Sequence, residues 1–201
     1  MACMVGITGN SGCGQSTAAG FIAEHCAGVC SLDTIGHRLL SKPFVLSDLA
    51  AGFSRADLLT MNTDRIRSEL GSIVFHDPGK MDLLNSILHP RMVKWASMSA
   101  AVLTGREGIW VLEGALIYEL GIDRCLDYMI AVEDTIERSA KHLTIRDGIS
   151  AEYAFRRWDY QLPVHMKSSR ADYVVDNSKD LDYMKQQILT IFEEIKGRHL
   201  I

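Results

Sequence analysis

Gly9-Asn10-Ser11-Gly12-Cys13-Gly14-Gln15-Ser16 runs glycine, four residues, glycine, glutamine, serine, the spacing of a phosphate-binding loop with glutamine where that loop carries lysine. Glycines at 9, 12 and 14 let successive backbone N–H groups turn toward phosphate oxygens. A helix opening at Ser16 and Thr17 adds its positive end. Residues Gly9 through Thr17 are therefore the candidate nucleotide-binding residues, and Ser16 offers a hydroxyl to Mg²⁺. A glycine-rich turn without a ligand is the alternative, but the segment sits between an apolar strand and a helix, as phosphate binding requires. Gln15 leaves the backbone cradle intact and removes the mobile cation that follows the β- and γ-phosphates. A neutral donor is roughly half as strong as a charged one, so transfer should suffer more than binding.

Other residues could share that chemistry. Asp33 falls where a short strand meets a helix; its carboxylate could take a hydroxyl proton or align the hydroxyl for in-line attack, and could also cap the helix. Glu113 closes the apolar run Ile109 to Leu112, a place from which an acid can approach a Mg²⁺ shell. A buried ion pair or an exposed strand end fits it equally. Arg138, Lys141, Arg146, Arg156, Arg157, Lys167 and Arg170 face only Asp147, Glu152 and Asp159 over the same stretch, a basic segment that could serve phosphate or simply form a solvated helix face. His89-Pro90 could close a helix, because the residue before proline avoids helical geometry.

The elements that must position these groups alternate. Strands are expected at Met4–Thr8, Val29–Leu32, Gly108–Leu112, Asp127–Val132 and Tyr173–Val175, as dense apolar runs of the kind buried on both faces of a parallel sheet. Helices are expected at Ser16–His25, Thr34–Leu40, Thr63–Leu70 with Thr63 as its cap, Lys80–Leu88, Arg91–Leu103, Asp134–Arg146, Ser150–Gln161 and Leu181–Ile195. The pattern is an α/β fold, an open parallel sheet with helices on both faces and ligands beyond the carboxyl ends of its strands. One domain over residues 1–201 is expected, with a helical insertion at about 44–104.

Composition narrows the partners. A net charge of −4 argues against general attraction to nucleic acid or an anionic membrane, and aromatics at 7% give no stacking platform for single strands. The apolar runs fall far short of the roughly 20 residues of a membrane helix, and no basic segment leads into an apolar run near Met1. Cys3, Cys13, Cys26, Cys30 and Cys125 are odd in number and scattered, which reads as free thiols in a reducing cytoplasm. Cys26 and Cys30 are expected as small core fillers.

The loop, then Leu32-Asp33-Thr34-Ile35-Gly36-His37, then Ala171-Asp172-Tyr173-Val174-Val175-Asp176-Asn177 stand in an order that resembles the dephospho-coenzyme A kinase family over nearly the whole chain. Asp64-Arg65 leading to Val74-Phe75, Ile87-Leu88-His89-Pro90, Leu116-Ile117-Tyr118-Glu119 and Gln161 support it. The resemblance implies a P-loop kinase fold with a helical acceptor-binding insertion and a lid at about 134–170. It also implies transfer of the ATP γ-phosphate to the ribose 3′-hydroxyl of dephospho-coenzyme A with Mg²⁺. Asp33 matches the family's proposed base and Arg146 its lid arginine, beside Gln15 as third catalytic position. The chain departs from the pattern at Asn10, Gln15, Ser31, Ala115 and His142, and Gln15 and His142 both remove fixed positive charge. A non-catalytic relative that binds ATP or a coenzyme A precursor, and a kinase acting on a nucleoside or nucleotide, are the competing readings.

Overall fold

The computed structural model of the chain describes residues 2–74, 76–148 and 150–199, so Phe75, and Ile149 within the expected lid, lie outside the described residues. The helices in chain order are α1 (Gln15–Ile22), α2 (Leu32–Leu39), α3 (Pro43–Phe53), α4 (Thr63–Val74), α5 (Pro78–Leu103), α6 (Ile136–Asp147), α7 (Ala151–Trp158), α8 (Val164–Ser168) and α9 (Leu181–His199). The chain divides into two compact units, Met1–Leu32 with Ser97–Ile201, and Asp33–Ala96.

The first unit holds a sheet of β1 (Ala2–Thr8), β2 (Gly28–Ser31), β3 (Gly108–Glu113), β4 (Tyr128–Glu133) and β5 (Tyr173–Asp176), in the order β2-β3-β1-β4-β5. Every neighbouring pair is parallel. This is the open parallel α/β sheet expected from the alternating elements, with helices on both faces. Cys3, Val5 and Ile7 of β1 put a fully buried row on one face, where it meets Ala18, Ala19 and Ile22 of α1 and Met184, Ile188, Phe192 and Ile195 of α9. The α9 residues recur every three or four positions, which gathers them on one side of the helix. Register then sets the chemistry: Ile7 pairs with both Glu113 and Ile130, so the loop after Thr8 begins beside the carboxyl end of β3. Corners are marked by side chains that cap helix starts. Thr135 accepts from the Arg138 amide ahead of α6 at 3.3 Å, and Ser150 from the Tyr153 amide ahead of α7 at 3.2 Å.

The second unit is helical, with no strand among its described residues. Val45, Leu49 and Phe53 of α3 and Ile66, Leu70 and Val74 of α4 are buried, and Arg55 joins Asp57 at 2.7 Å to Glu69 at 3.1 Å.

Several boundaries differ from the sequence expectation. The first helix ends at Ile22 and continues as a 3₁₀ turn over Ala23–His25. Asn62, not Thr63, caps α4: its side chain accepts the Arg65 amide at 2.9 Å. The two helices expected on either side of Pro90 are one, α5, so His89-Pro90 closes nothing. Burial of Ile87 and Met92 holds the segment on both sides, and the Arg91 guanidinium donates to the Ile87 carbonyl and pairs with Asp48. Tertiary contacts outweigh the local proline preference here. Cys26 and Cys30 are half-buried, with Cys3 and Cys13 the buried thiols.

Candidate active site

The loop between Thr8 and α1 is held by its carbonyls. Gly9 O accepts from Lys167 Nζ at 3.4 Å, Asn10 O from the Cys13 amide at 2.9 Å, and Ser11 O from Trp158 Nε1 at 3.0 Å. Gly12 O contacts His142 Nδ1 at 3.1 Å, Cys13 O accepts from Asn177 Nδ2 at 3.0 Å, and Gly14 O from the Ala18 amide at 2.9 Å. Six consecutive acceptors are thus occupied by the frame or by the loop itself. The amides of Ser11 and Cys13 are spent on Gln161 and Asn10 O, so what the loop has to give an anion is the donors of Gly12 and of the residues from Gly14 on. Glycine is required where the frame closes in. A Cβ on Gly12 would lie 2.3 Å from the Ser139 carbonyl oxygen, and Gly12 and Gly14 stand at φ of 89° and 98°, where L side chains are strained.

Gly12, Gly14, Gln15, Ser16 and Thr17 line a cavity of about 860 Å³ whose other walls carry Arg138, His142, Arg146 and Lys179. Three fixed cations, Arg138, Arg146 and Lys179, thus share one cavity in a protein of net charge −4, with Asp180 and Asp182 on the same wall. Asp134, its side chain fully buried, organises two of these side chains: Arg138 Nε pairs with it at 3.0 Å and His142 Nδ1 lies at 3.7 Å. Asp134 also accepts from Asn177 Nδ2 at 3.1 Å, tying those two side chains to the residue that holds Cys13. Burial pushes the Cys13 thiol above its ordinary value, which favours the neutral thiol in this buried loop cysteine.

Ser16 Oγ donates to Glu113 Oε2 at 2.9 Å, and Glu113 is buried at the end of β3. Two hard oxygen ligands side by side suit Mg²⁺, which takes one or two protein oxygens and leaves the rest of its shell to water and phosphate. Behind the loop Lys167, fully buried on α8, donates to Ala115 O at 2.5 Å and pairs with Glu119 at 2.9 Å, and Glu119 accepts the Leu162 amide at 2.7 Å.

A family profile described as dephospho-CoA kinase matches residues 3–182. The chain belongs to the dephospho-CoA kinase family. The dephospho-CoA kinase of Aquifex aeolicus (strain VF5) is 32% identical over 192 residues, covering 95% of this chain and 96% of that one. That of Carboxydothermus hydrogenoformans is 30% identical over 196 residues, covering 97% and 95%. A solved dephospho-CoA kinase from Campylobacter jejuni matches with a TM-score of 0.72 at 25% identity, covering 98% of this chain and 100% of that one. A shikimate kinase from Acinetobacter baumannii, 12% identical with a TM-score of 0.58, shares the fold alone.

In this member of the dephospho-CoA kinase family, Gly12, Gly14, Gln15, Ser16 and Thr17 of the loop come together with Arg146 around one cavity, whose lining does not include Gly9, Asn10, Ser11 and Cys13, while Arg146 also pairs with Asp147 at 2.7 Å. Asp33 lies in the second unit, exposed in the first turn of α2. Because α2 starts at Leu32, Asp33 sits inside the helix rather than capping it. One turn on, His37 is held below its ordinary pKa by burial and then by Arg67, with Asp33 and Asp64 acting the other way. Sequence reasoning missed Asp134, Trp158 and the pairing of Lys167 with Glu119. In the sequence Lys167 falls within a basic stretch that also reads as a solvated face, and the fold buries it. The one available signal was the order of Glu119, Gln161 and Asn177 within the family resemblance.

Proposed function

We propose that the chain transfers the γ-phosphoryl group of ATP to the ribose 3′-hydroxyl of dephospho-CoA, giving coenzyme A. The observation that carries this reading is the loop itself, six carbonyls tied back beside a cavity that Arg138, Arg146 and Lys179 also line, in a chain of the dephospho-CoA kinase family. The triphosphate lies against the amides of Gly12 and of residues 14–16, with Arg138 and Lys179 offsetting its charge. The base meets Ile145 and Leu181, two exposed apolar side chains on the same cavity. Ser16 and Glu113 would hold Mg²⁺, which when bound supplies charge neutralisation across the β- and γ-phosphates. Arg146 leaves Asp147 to meet the transferring group, Asp33 takes the proton of the attacking hydroxyl, and the acceptor is bound by the helical segment at about 44–104.

The deciding experiment incubates the protein with ATP, Mg²⁺ and dephospho-CoA and follows coenzyme A by mass against a no-enzyme control. No product above that control would end the kinase reading. Asp33→Asn should abolish transfer while ATP affinity stays within about threefold, because the amide keeps the shape and loses the proton acceptor. A variant that transfers at the parent rate would remove Asp33 from the mechanism.

A further inference from the structure

Ser11 occupies the middle of the loop, and every polar atom it owns is taken by one segment of chain. Its N–H donates to Gln161 Oε1 at 2.9 Å, its hydroxyl accepts from Gln161 Nε2 at 2.7 Å, and its carbonyl accepts from Trp158 Nε1 at 3.0 Å. The primary amide of Gln161 meets Ser11 with both its acceptor and its donor, a two-point match that only a side-chain amide makes without charge. Trp158 is anchored in turn by an edge-on contact with Phe155, ring centroids 5.2 Å apart. All three contacts span about 150 positions in sequence, so they are not a by-product of local turn geometry.

The chain around them explains why the clasp is firm. Leu162, next to Gln161, donates its amide to Glu119, and Glu119 is the partner of the buried Lys167 that reaches Gly9 O. The loop is therefore held at Gly9 and at Ser11 by one continuous stretch, Trp158 to Lys167. A glycine-rich loop has many backbone states, and only those with converging amides bind phosphate; apparent affinity falls in proportion to the fraction of loops in the competent state.

We propose that Trp158 and Gln161 are positioning residues that clasp Ser11 and hold the phosphate loop in its nucleotide-competent conformation before ATP arrives. The proposal rests on the loop being the ATP site. Ser11's amide is committed to the clasp and Cys13's to Asn10 O, so the donors left for phosphate belong to Gly12 and to the residues from Gly14 on. The clasp stays closed when nucleotide binds.

The test is titration calorimetry with Mg²⁺ and a non-hydrolysable ATP analogue on the parent, Gln161→Leu and Trp158→Phe, beside steady-state kinetics and ¹H–¹⁵N spectra of the tryptophan indoles. Gln161→Leu removes both amide contacts at nearly constant volume and should weaken analogue binding about tenfold; Trp158→Phe keeps a ring, loses one donor and should weaken it about threefold. KM for dephospho-CoA should be unchanged in both, a selectivity that general loosening of the fold would not produce. The Trp158 indole N–H should remain protected from solvent exchange with analogue bound. Parent that fails to bind the analogue defeats the nucleotide reading and the clasp with it. Equal binding by parent and both variants defeats the clasp alone. Tighter binding by Gln161→Leu, or an indole N–H that exchanges freely once analogue is present, makes the contact a lock that ATP must break and overturns the proposal.

Discussion

Gln15 is nearly buried at 7% exposure and still lines the cavity, so a cation at this position would enter the phosphate site rather than solvent. Gln15→Lys should therefore raise the rate of transfer. Losing one preorganised electrostatic contact of this kind costs roughly 3 kcal/mol, so restoring it should return about a hundredfold. Single-turnover rates at saturating ATP measure this, and a variant no faster than the parent would show that Gln15 does not limit the chemistry. The loop residues were legible because they are contiguous: seven or eight positions of fixed spacing define the cradle, whatever the rest of the chain does. Asp134 was not, since nothing in an Asp before a helix tells whether it will be wrapped by Arg138, His142 and Asn177 or left in water.

Lys167 belongs to α8, a five-residue helix too short for its periodicity to be read, and it was missed for that reason. Its charge is buried against Glu119 and two carbonyls, and such a group is sustained by its partner. Lys167→Met should destabilise the protein by about 3–5 kcal/mol in denaturant unfolding, because it leaves Glu119 unpaired; adding Glu119→Gln should recover part of that loss. Strictly additive losses would mean the two residues do not act as a pair. Burial drives the Lys167 pKa down while Glu119 pulls it up, with burial the larger effect. The folded chain thus releases this proton more readily than the unfolded chain, so the lysine's contribution to stability should rise as pH climbs toward the ordinary value of 10.5 and level off above it. The difference in unfolding free energy between parent and Lys167→Met, followed against pH, should show that upward slope; a downward slope would contradict the burial argument.

At the scale of the molecule, the loop and its cavity belong to the unit built on the parallel sheet, and the helical unit carries Asp33, His37 and Arg67. If donor and acceptor are divided between them, the two ligands should protect different peptides from hydrogen exchange. An ATP analogue with Mg²⁺ should slow exchange in peptides covering 9–17, 138–146 and 177–182, whereas dephospho-CoA alone should act within 33–96. Acceptor protection confined to the first unit would reassign acceptor binding to the sheet. No helix among the described residues is long and apolar enough to cross a membrane, in keeping with runs such as Ile109 to Leu112 being sheet strands.

The sequence by itself determined the sheet, the loop after β1 and the family, since each is written in short contiguous runs: apolar strands of four to seven residues, glycines at 9, 12 and 14, and strings of fixed order. It could not say which distant side chains take the loop's carbonyls. That was decided by strand register, which sets Glu113 beside Ser16, and by the packing of Trp158 to Lys167 behind the loop. It could not end α5 correctly either, because a proline's cost is local and the burial of Ile87 and Met92 that overrides it is not. Spacing encodes what neighbours along the chain do; a hydrogen bond between residues 150 positions apart exists only once the chain has folded, and in this protein such bonds are what hold the phosphate loop.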